Sequence, residues 1–537
     1  MNRDTIRDLI ILALTGGVLF FPLLGSVHLF DWDEMNFAAC AREMLVSGNY
    51  LQPQINFQPF LEKPPLFFWL QAASMRVFGI NEFAARLPNA VAGIFTLWFI
   101  YLVGRKWRGS GFGRLWALVL LGTFLPHFYF RSGIIDPVLN LLILTGFYAF
   151  IRPGLGGEGA RTGNTNGWFA LSGLLLGLAV LTKGPVGVLL PGLTVIAYVI
   201  LFRGSFRPGW KSLLTWAVVF LLTTVFWYGL DLVVNGPEFI RAFLERQWAL
   251  LTTSDAGHGQ PVWYHPVVIL IGCFPASLLL VAAMKKRKPS ANGPALQLNR
   301  WMWILFLVVL IVFSLVRTKI VHYSSLSWIP LTYLATDYLY RHREGFRWAK
   351  AGWIILFALG LFWLAVLVLV PLLGRNPGWI SHWIADPFAL SALQASVNWP
   401  WFTWLPALFM AVALALAFRE TVRGSSYRAV VLLMIGNIVL VQAATYLFVP
   451  RIEAYSQRAA VELVEEAGAN GHYVLSIGFK SYIPFFYGRY EHTITGLEPG
   501  LLLLSKQPKG LRLAGENGWE VVTERNGYVL LNPSPGR

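Results

Sequence analysis

Along most of the chain, apolar residues come in long runs closed by short stretches rich in Lys, Arg, Gly and Pro. A helix needs about 20 mostly apolar residues to cross the hydrocarbon core. That rule predicts 13 spans, near 8–27, 86–104, 115–131, 133–151, 168–182, 184–202, 212–231, 262–284, 301–316, 320–340, 351–373, 400–418 and 429–449. The fifth and sixth share a tight turn at Thr182-Lys183-Gly184-Pro185. After residue 450 the texture changes. A helical stretch from Ala454 to Ala469 precedes β-like runs at 473–479, 491–495, 501–504, 519–523 and 528–531. Gly471, Gly488, Asn517-Gly518 and Asn526-Gly527 supply the turns between them. The fold class is therefore a polytopic α-helical membrane protein, residues 1–450, followed by a small α/β domain, residues 451–537.

Two amphipathic stretches interrupt this pattern after the first span. Met35 to Ser47 places Met35, Ala38, Ala41, Met44 and Leu45 near helical spacing, and a second stretch runs from about Pro65 to Phe78. Both are expected to lie in the membrane interface rather than cross it.

Composition agrees with the pattern. The 537 residues are 56% hydrophobic and 13% charged, against about a quarter charged in soluble domains. The formal charge of +16 does not point to nucleic acid, because the basic residues cluster in short loops between apolar runs. With the N-terminus inside, the inside connections (105–114, 152–167, 203–211, 285–300, 341–350, 419–428) and the N-terminal tail hold 23 Lys and Arg; the outside connections hold 11. This bias puts the N-terminus in the cytoplasm, and the odd span number puts the C-terminal domain outside. The first run is read as a retained helix, since no small-residue cleavage site follows Phe20-Phe21-Pro22. The Gly-rich stretch 154–167 reads as a flexible inside loop. Cys40 and Cys273 have no metal-type spacing.

The candidate chemistry lies on the outer face. Asp31 and Asp33 precede the first amphipathic helix, Glu62-Lys63 precedes Pro64-Pro65, and Asp136-Pro137 joins two spans. Lys183 sits in the tight turn, His258 in the loop 232–261, and Lys319, His322 and Tyr323 between the ninth and tenth spans. Each has a plain structural alternative: helix capping for Asp33 and Asp136, a solvated pair for Glu62 and Lys63, snorkelling for Lys183, interfacial anchoring for the rest. Together they are three lysines, several acids and a histidine on one face. Convergent cations on an apolar scaffold suit a phosphate-bearing ligand, an acid beside them suits proton abstraction from a hydroxyl, and a carboxylate with a histidine can share a divalent cation.

Asp33-Glu34, Ala41-Arg42-Glu43-Met44 and Glu62-Lys63-Pro64-Pro65-Leu66 resemble the first outer loop of the aminoarabinose transferases of lipid A. The wider family is the GT-C-type, polyprenyl-phosphate-dependent glycosyltransferases, related to protein O-mannosyltransferases. The resemblance continues in order through Asp136-Pro137, Leu181-Thr182-Lys183-Gly184, Gly257-His258-Gly259-Gln260-Pro261-Val262-Trp263-Tyr264, and Lys319 with Tyr323. It implies a GT-C-like architecture in the inner membrane. The implied reaction moves a sugar from a polyprenyl-phosphate donor to a lipid, glycan or protein hydroxyl outside the cytoplasm, with inversion. Asp33 matches the acceptor-side base and Asp136 a second acidic position. Glu62 and His258 match metal ligands, for zinc, magnesium or manganese. Lys63, Lys183, Lys319 and Tyr323 match donor-phosphate and cavity positions. The family carries Arg-Tyr where this chain has Asn36-Phe37, Tyr where it has Phe60, and Lys-Leu-Pro-Thr-Tyr where it has Lys319-Ile320-Val321-His322-Tyr323. The reaction class therefore carries over, and the sugar and acceptor stay open. The rival reading is a flippase of polyprenyl-linked sugar, which predicts charges near the bilayer midplane and internal repeats. This chain shows no repeat.

Overall fold

Every predicted apolar run is helical in the computed structural model, which describes residues 2–155, 164–203, 206–253, 259–285, 293–344, 348, 350–496 and 498–533. His258 and most of the Gly-rich stretch 154–167 lie outside the described residues. The helices begin with α1 (Arg3–Phe20), α2 (Asp33–Ser47), α3 (Leu66–Phe78), α4 (Glu82–Arg108), α5 (Ser110–Leu121), α6 (Phe124–Tyr129) and α7 (Asp136–Ile151). They continue with α8 (Thr165–Lys183), α9 (Val186–Leu201), α10 (Trp210–Asn235), α11 (Glu238–Thr252), α12 (Tyr264–Gly272), α13 (Ala276–Lys285) and α14 (Pro294–Leu315). Then come α15 (Trp328–Arg341), α16 (Lys350–Arg375), two short helices α17 (Gly378–Ser381) and α18 (Pro387–Ala392), α19 (Leu405–Val422) and α20 (Ser426–Ser456).

The count of 13 spans is not confirmed. Among the described residues, eight helices are long and apolar enough to cross a bilayer, and a ninth span arises if α12 and α13, bent by 116°, count as one. The difference has physical causes. A hydropathy window counts apolar residues and is blind to breaks in the backbone ladder. The run at 115–131 is two short helices, α5 and α6. The run at 320–340 opens as a 3-10 turn, Val321–Ser327, which leaves 14 residues for α15. Helix α1 carries Arg3, Asp4, Arg7 and Asp8.

The charged ends sort as the loop charges predict. Asp8 accepts from Tyr101 at 2.6 Å and from Arg114 at 2.9 Å, Arg105 donates to Asn2 at 3.1 Å, and Arg108 pairs with Asp337. The N-terminal tail, the 105–114 connection and the end of α15 thus meet at one end of the bundle.

In the segment 28–85 neither α2 nor α3 is among the helices long and apolar enough to cross a bilayer, and α2 is packed within the protein. Helix α2 is buried on nearly every side from Glu34 to Met44. Phe37, Cys40 and Met44 enter the bundle core, while Met35, Ala38, Ala39 and Ala41 pack under the C-terminal residues. Between α2 and α3 lies a hairpin of β1 (Gln54–Ile55) and β2 (Gln58–Pro59). Its tip residues Asn56 and Phe57 take positive φ, and their N–H groups both donate to the Glu43 carboxylate at 2.7 Å. Arg42 donates to the carbonyl of Tyr490 at 2.5 Å. The Arg42-Glu43 motif is therefore a clamp between loop and C-terminal residues. Cys40 and Cys273 are both buried and free.

After α20 come α21 (Arg458–Ala469), β3 (Tyr473–Ser476), α22 (Ile483–Tyr487), β4 (Leu501–Lys506), α23 (Lys509–Asn517), β5 (Glu520–Arg525) and β6 (Tyr528–Asn532). The sheet order is β3-β4-β6-β5, with β3 parallel to β4 and the other pairs antiparallel. Asn526-Gly527 forms the β5–β6 turn with both residues at positive φ, as that dipeptide favours. The expected strand at 491–495 is absent. There the Asn56 side chain takes both backbone groups of Ile494, accepting at 2.8 Å and donating at 2.9 Å.

Candidate active site

Asp33 opens α2 behind a strained turn. Trp32 adopts a φ of 77°, a region costly for a bulky side chain and common at functional sites. Asp31 fixes that turn. Its Oδ1 accepts the N–H of Trp32 at 2.8 Å and of Tyr482 at 3.0 Å. The Asp33 side chain caps nothing, so capping does not explain it. Its carboxylate is 40% exposed and lies 3.4 Å from Nε2 of His322. Glu34, the next residue, faces the other way. It holds Arg86 through two contacts of 3.1 and 2.8 Å and accepts the N–H of Phe30 at 2.9 Å and of Gly133 at 2.5 Å.

Asp136 opens α7, with Pro137 fitting the first turn. Its side chain does not cap the helix either. Oδ1 accepts from Lys183 Nζ at 2.5 Å, and Oδ2 lies 3.8 Å from His322 Nε2. Lys183 ends α8, where the chain reverses through Gly184 at a φ of 80°. A Cβ there would collide with the Phe243 ring, so only glycine allows the tight turn that brings Lys183 to Asp136. The same ammonium stands 5.0 Å from the centre of the Tyr323 ring. Lys183 is thus a partnered cation rather than a snorkelling one.

Lys63, Asp136, Lys183 and Tyr323 line one cavity of about 220 Å³. The rest of its wall is mostly apolar, including Leu139, Ile143, Leu189, Val312 and Phe313, with Gln247 from α11 as a further polar group. Burial lowers the Lys63 amine first, with the charge of Lys183 adding to the effect and Glu62 and Asp33 opposing it. Burial also lowers His322, assisted by Lys183 and Lys63 and opposed by Asp136 and Asp33. These mutual influences place Asp33, Lys63, Asp136, Lys183 and His322 in one electrostatic neighbourhood.

Two expected residues do not line the cavity, although Glu62 acts electrostatically on Lys63. Lys319 does not line the cavity. It is buried behind it, donating to the carbonyl of cavity-lining Val316 at 2.5 Å. Glu62 is partly exposed and faces Arg246 of α11 at 3.9 Å. Among the described residues, no group of three or more His, Cys, Asp or Glu side chains is arranged to hold a metal.

Sequence reasoning gave His322 no role and passed over Arg246 and Arg86. His322 stood next to Tyr323 as interfacial decoration, and its signal was its departure from the family's threonine. Arg246 and Gln247 lie on an amphipathic helix inside a long loop, where no motif marks them. Arg86 lies 52 residues from Glu34, and one sequence holds nothing that pairs them.

With this geometry in place, comparison with known proteins is informative. Residues 62–228 match the family described as dolichyl-phosphate-mannose-protein mannosyltransferase. The chain is 28% identical over 386 residues to the undecaprenyl phosphate-alpha-4-amino-4-deoxy-L-arabinose arabinosyl transferase of Shewanella sediminis, covering 70% of this chain and 68% of that one. It is 28% identical over 388 residues to the Pseudomonas aeruginosa protein of the same description, covering 70% and 67%. In fold it matches the crystal structure of ArnT from Cupriavidus metallidurans bound to undecaprenyl phosphate, with a TM-score of 0.77 and 21% identity over 97% of each chain. The chain is a multi-pass membrane glycosyltransferase of the GT-C type, similar to the aminoarabinose transferases and the protein O-mannosyltransferases.

Proposed function

We propose that this protein transfers a sugar from a polyprenyl-phosphate carrier to a hydroxyl of an envelope lipid or glycan, on the extracytoplasmic side of the inner membrane, with the N-terminus in the cytoplasm. The observation that carries the reading is the cavity shared by Lys63, Lys183 and Tyr323. A polyprenyl phosphate is a charge on a hydrocarbon chain, and this cavity offers two ammonium groups, one of them paired with Asp136, within a mostly apolar wall. Charge in such a wall is strongly felt, because little water screens it.

The steps follow from the residues. The donor phosphate sits against Lys63 and Lys183. Asp33, exposed at the rim, takes the proton of the acceptor hydroxyl as that oxygen attacks C1 of the sugar. The C1–O bond to phosphate breaks, and the departing phosphate is held by the two lysines. A single displacement inverts the anomeric centre. Tyr323 supports Lys183 by its ring, and Lys319 fixes the wall through Val316. On the acceptor side, Trp32 is 43% exposed and meets Tyr482 edge to face at 6.1 Å. Lys480 stands 5.1 and 5.2 Å from the two ring centres. An aromatic corner beside the base suits a sugar face, which favours a glycan or glycolipid acceptor.

A divalent cation held by Glu62 and His258 is a separate proposal. When bound it would neutralise charge on the leaving phosphate. Of that pair only Glu62 lies within the described residues, and Arg246 already faces it, so the steps above run through protein cations alone. Metal content of the purified protein, compared with Glu62→Gln, checks the metal site.

The test of the reading is direct. Purified protein in lipid nanodiscs is given a polyprenyl phosphate carrying a radiolabelled sugar and a mixture of envelope lipids. Label appearing on an acceptor together with free polyprenyl phosphate is the expected outcome. Donor that stays intact with every envelope fraction sinks the reading.

A further inference from the structure

His322 has no role in the steps above, yet it stands at their centre. It lies in the 3-10 turn that precedes α15, and its side chain is 15% exposed. One ring atom, Nε2, faces two carboxylates: Asp33 Oδ2 at 3.4 Å and Asp136 Oδ2 at 3.8 Å. A bare lone pair in that position would be repelled by both oxygens. The charge pattern therefore assigns a proton to Nε2. The other groups that face the ring or its two carboxylates include Lys63 before α3, Tyr129 of α6, Lys183 of α8, His265 of α12 and the neighbouring Tyr323, whose ring centre lies 5.3 Å from that of His322. Lys183 is bonded to Asp136 Oδ1, and Tyr129 donates to Ser325.

The two acids are thus unequal. Asp136 is committed to Lys183 through one oxygen, and its other oxygen stands 3.8 Å from His322 Nε2, beyond hydrogen-bond length. Asp33 is more open to solvent, and its close partner is His322. We propose that His322 is a positioning residue for the transfer reaction. Its Nε2–H points between the committed carboxylate and the exposed one, nearer Asp33, biases Asp33 toward one orientation facing the acceptor, and keeps the two acids from sharing a proton. The series Lys183–Asp136–His322–Asp33 then joins the donor-phosphate lysine to the base, so that donor binding at Lys183 is felt at Asp33. Protons balance in this arrangement. Asp33 gains the acceptor's proton and later loses it to solvent, and His322 keeps its own throughout.

A second consequence concerns pH. Burial holds His322 below the ordinary 6.5 of a histidine, so the ring is neutral near pH 7 and still donates from Nε2. On acidification it gains a second proton. An imidazolium beside Asp33 stabilises that carboxylate and weakens it as a base, so turnover falls.

This inference rests on the proposed transfer activity, and the experiment separates the two. In nanodiscs, kcat and donor KM are measured against pH for wild type, His322→Gln and His322→Leu. Glutamine keeps an N–H donor but cannot titrate. It is expected to stay within about fivefold of the wild-type plateau, and to lose the acid limb that lies below pH 6.5 in the wild type. Leucine removes the donor and is expected to lower kcat by on the order of 10²-fold with KM little changed. Equal pH profiles in wild type and His322→Gln overturn the proposal, as does an unimpaired His322→Leu. The second arm does not depend on turnover. In protein labelled with ¹³C at histidine, the His322 signal is assigned by its loss in His322→Gln and titrated in wild type and Asp33→Asn. Removing the Asp33 charge is expected to move the His322 titration to lower pH. An unmoved titration overturns the link whatever the reaction proves to be, whereas a moved titration without sugar transfer would indict only the proposed function.

Discussion

Asp33 and Glu34 are consecutive carboxylates at the start of one helix, and their surroundings differ completely. Glu34 is buried, and both its oxygens are filled by Arg86 and by the N–H groups of Phe30 and Gly133. Arg86 in turn donates to the carbonyls of Leu24, Val27 and His28 at 2.7 to 3.0 Å. That knot ties α2, α4 and the chain ahead of α7 together and leaves nothing to offer a ligand. Asp33 is bound loosely to one histidine and open to solvent. The lesson is that burial with every partner present marks structure, while a charge held at the rim with partners to spare marks chemistry.

The contrast can be broken most severely at the knot. Arg86→Leu leaves Glu34 buried without its cation, a loss of about 3–5 kcal/mol. The expected result is little folded protein in detergent, read by fluorescence size exclusion and a thermal melt. A wild-type melting temperature would refute the structural half of the comparison. Next in size is Asp33→Asn. Turnover should fall by about 10²–10⁴-fold while the melting temperature holds, as measured on one preparation. A parallel fall in stability would show that Asp33 is as structural as its neighbour.

Much of this was legible before any coordinates. The apolar runs, the loop-charge bias and the α/β tail follow from lipid solubility and turn chemistry, which act locally along the chain. The set Asp33, Lys63, Asp136, Lys183 and Tyr323 was readable because each sits beside a Pro, Gly or span end that restricts its place. What escaped was long-range. Arg86 and Glu34, or Asn56 and Ile494, meet only because the bundle brings distant segments together. The broken spans at 115–131 and 262–284 escaped because hydropathy does not see a bend. The burial of both faces of α2 escaped because its apolar face was visible and the C-terminal residues covering its other face were not.

A smaller effect is expected at Lys183→Gln, which removes a cation from the cavity and leaves Asp136 with His322. Donor affinity should weaken by about 10- to 100-fold, as for loss of one charged hydrogen bond, with kcat less changed. A filter-binding titration with labelled polyprenyl phosphate reads this. Unchanged affinity would remove Lys183 from the phosphate site. The smallest effect belongs to Glu43, a structural acid like Glu34. Burial pushes its carboxyl up to about 6, against the pull of the Phe57 and Asn56 N–H groups. The folded state then holds the proton more tightly than the unfolded chain, whose value is near 4.5. That added stability is present below the unfolded value and is lost as pH rises through about 6. The melting-temperature advantage of wild type over Glu43→Gln should therefore grow on acidification from pH 7. An advantage that shrinks on acidification would contradict the sign.

All of this depends on lysines from separate loops meeting one phosphate at the rim of the bilayer. The most direct measurement is a structure of the protein in nanodiscs saturated with polyprenyl phosphate. The account predicts the phosphate within hydrogen-bond reach of Lys63 and Lys183, its hydrocarbon tail along Leu139, Leu189 and Val312, and Asp33 facing the side from which an acceptor arrives. A phosphate bound elsewhere, with Lys183 still turned only to Asp136, would contradict it.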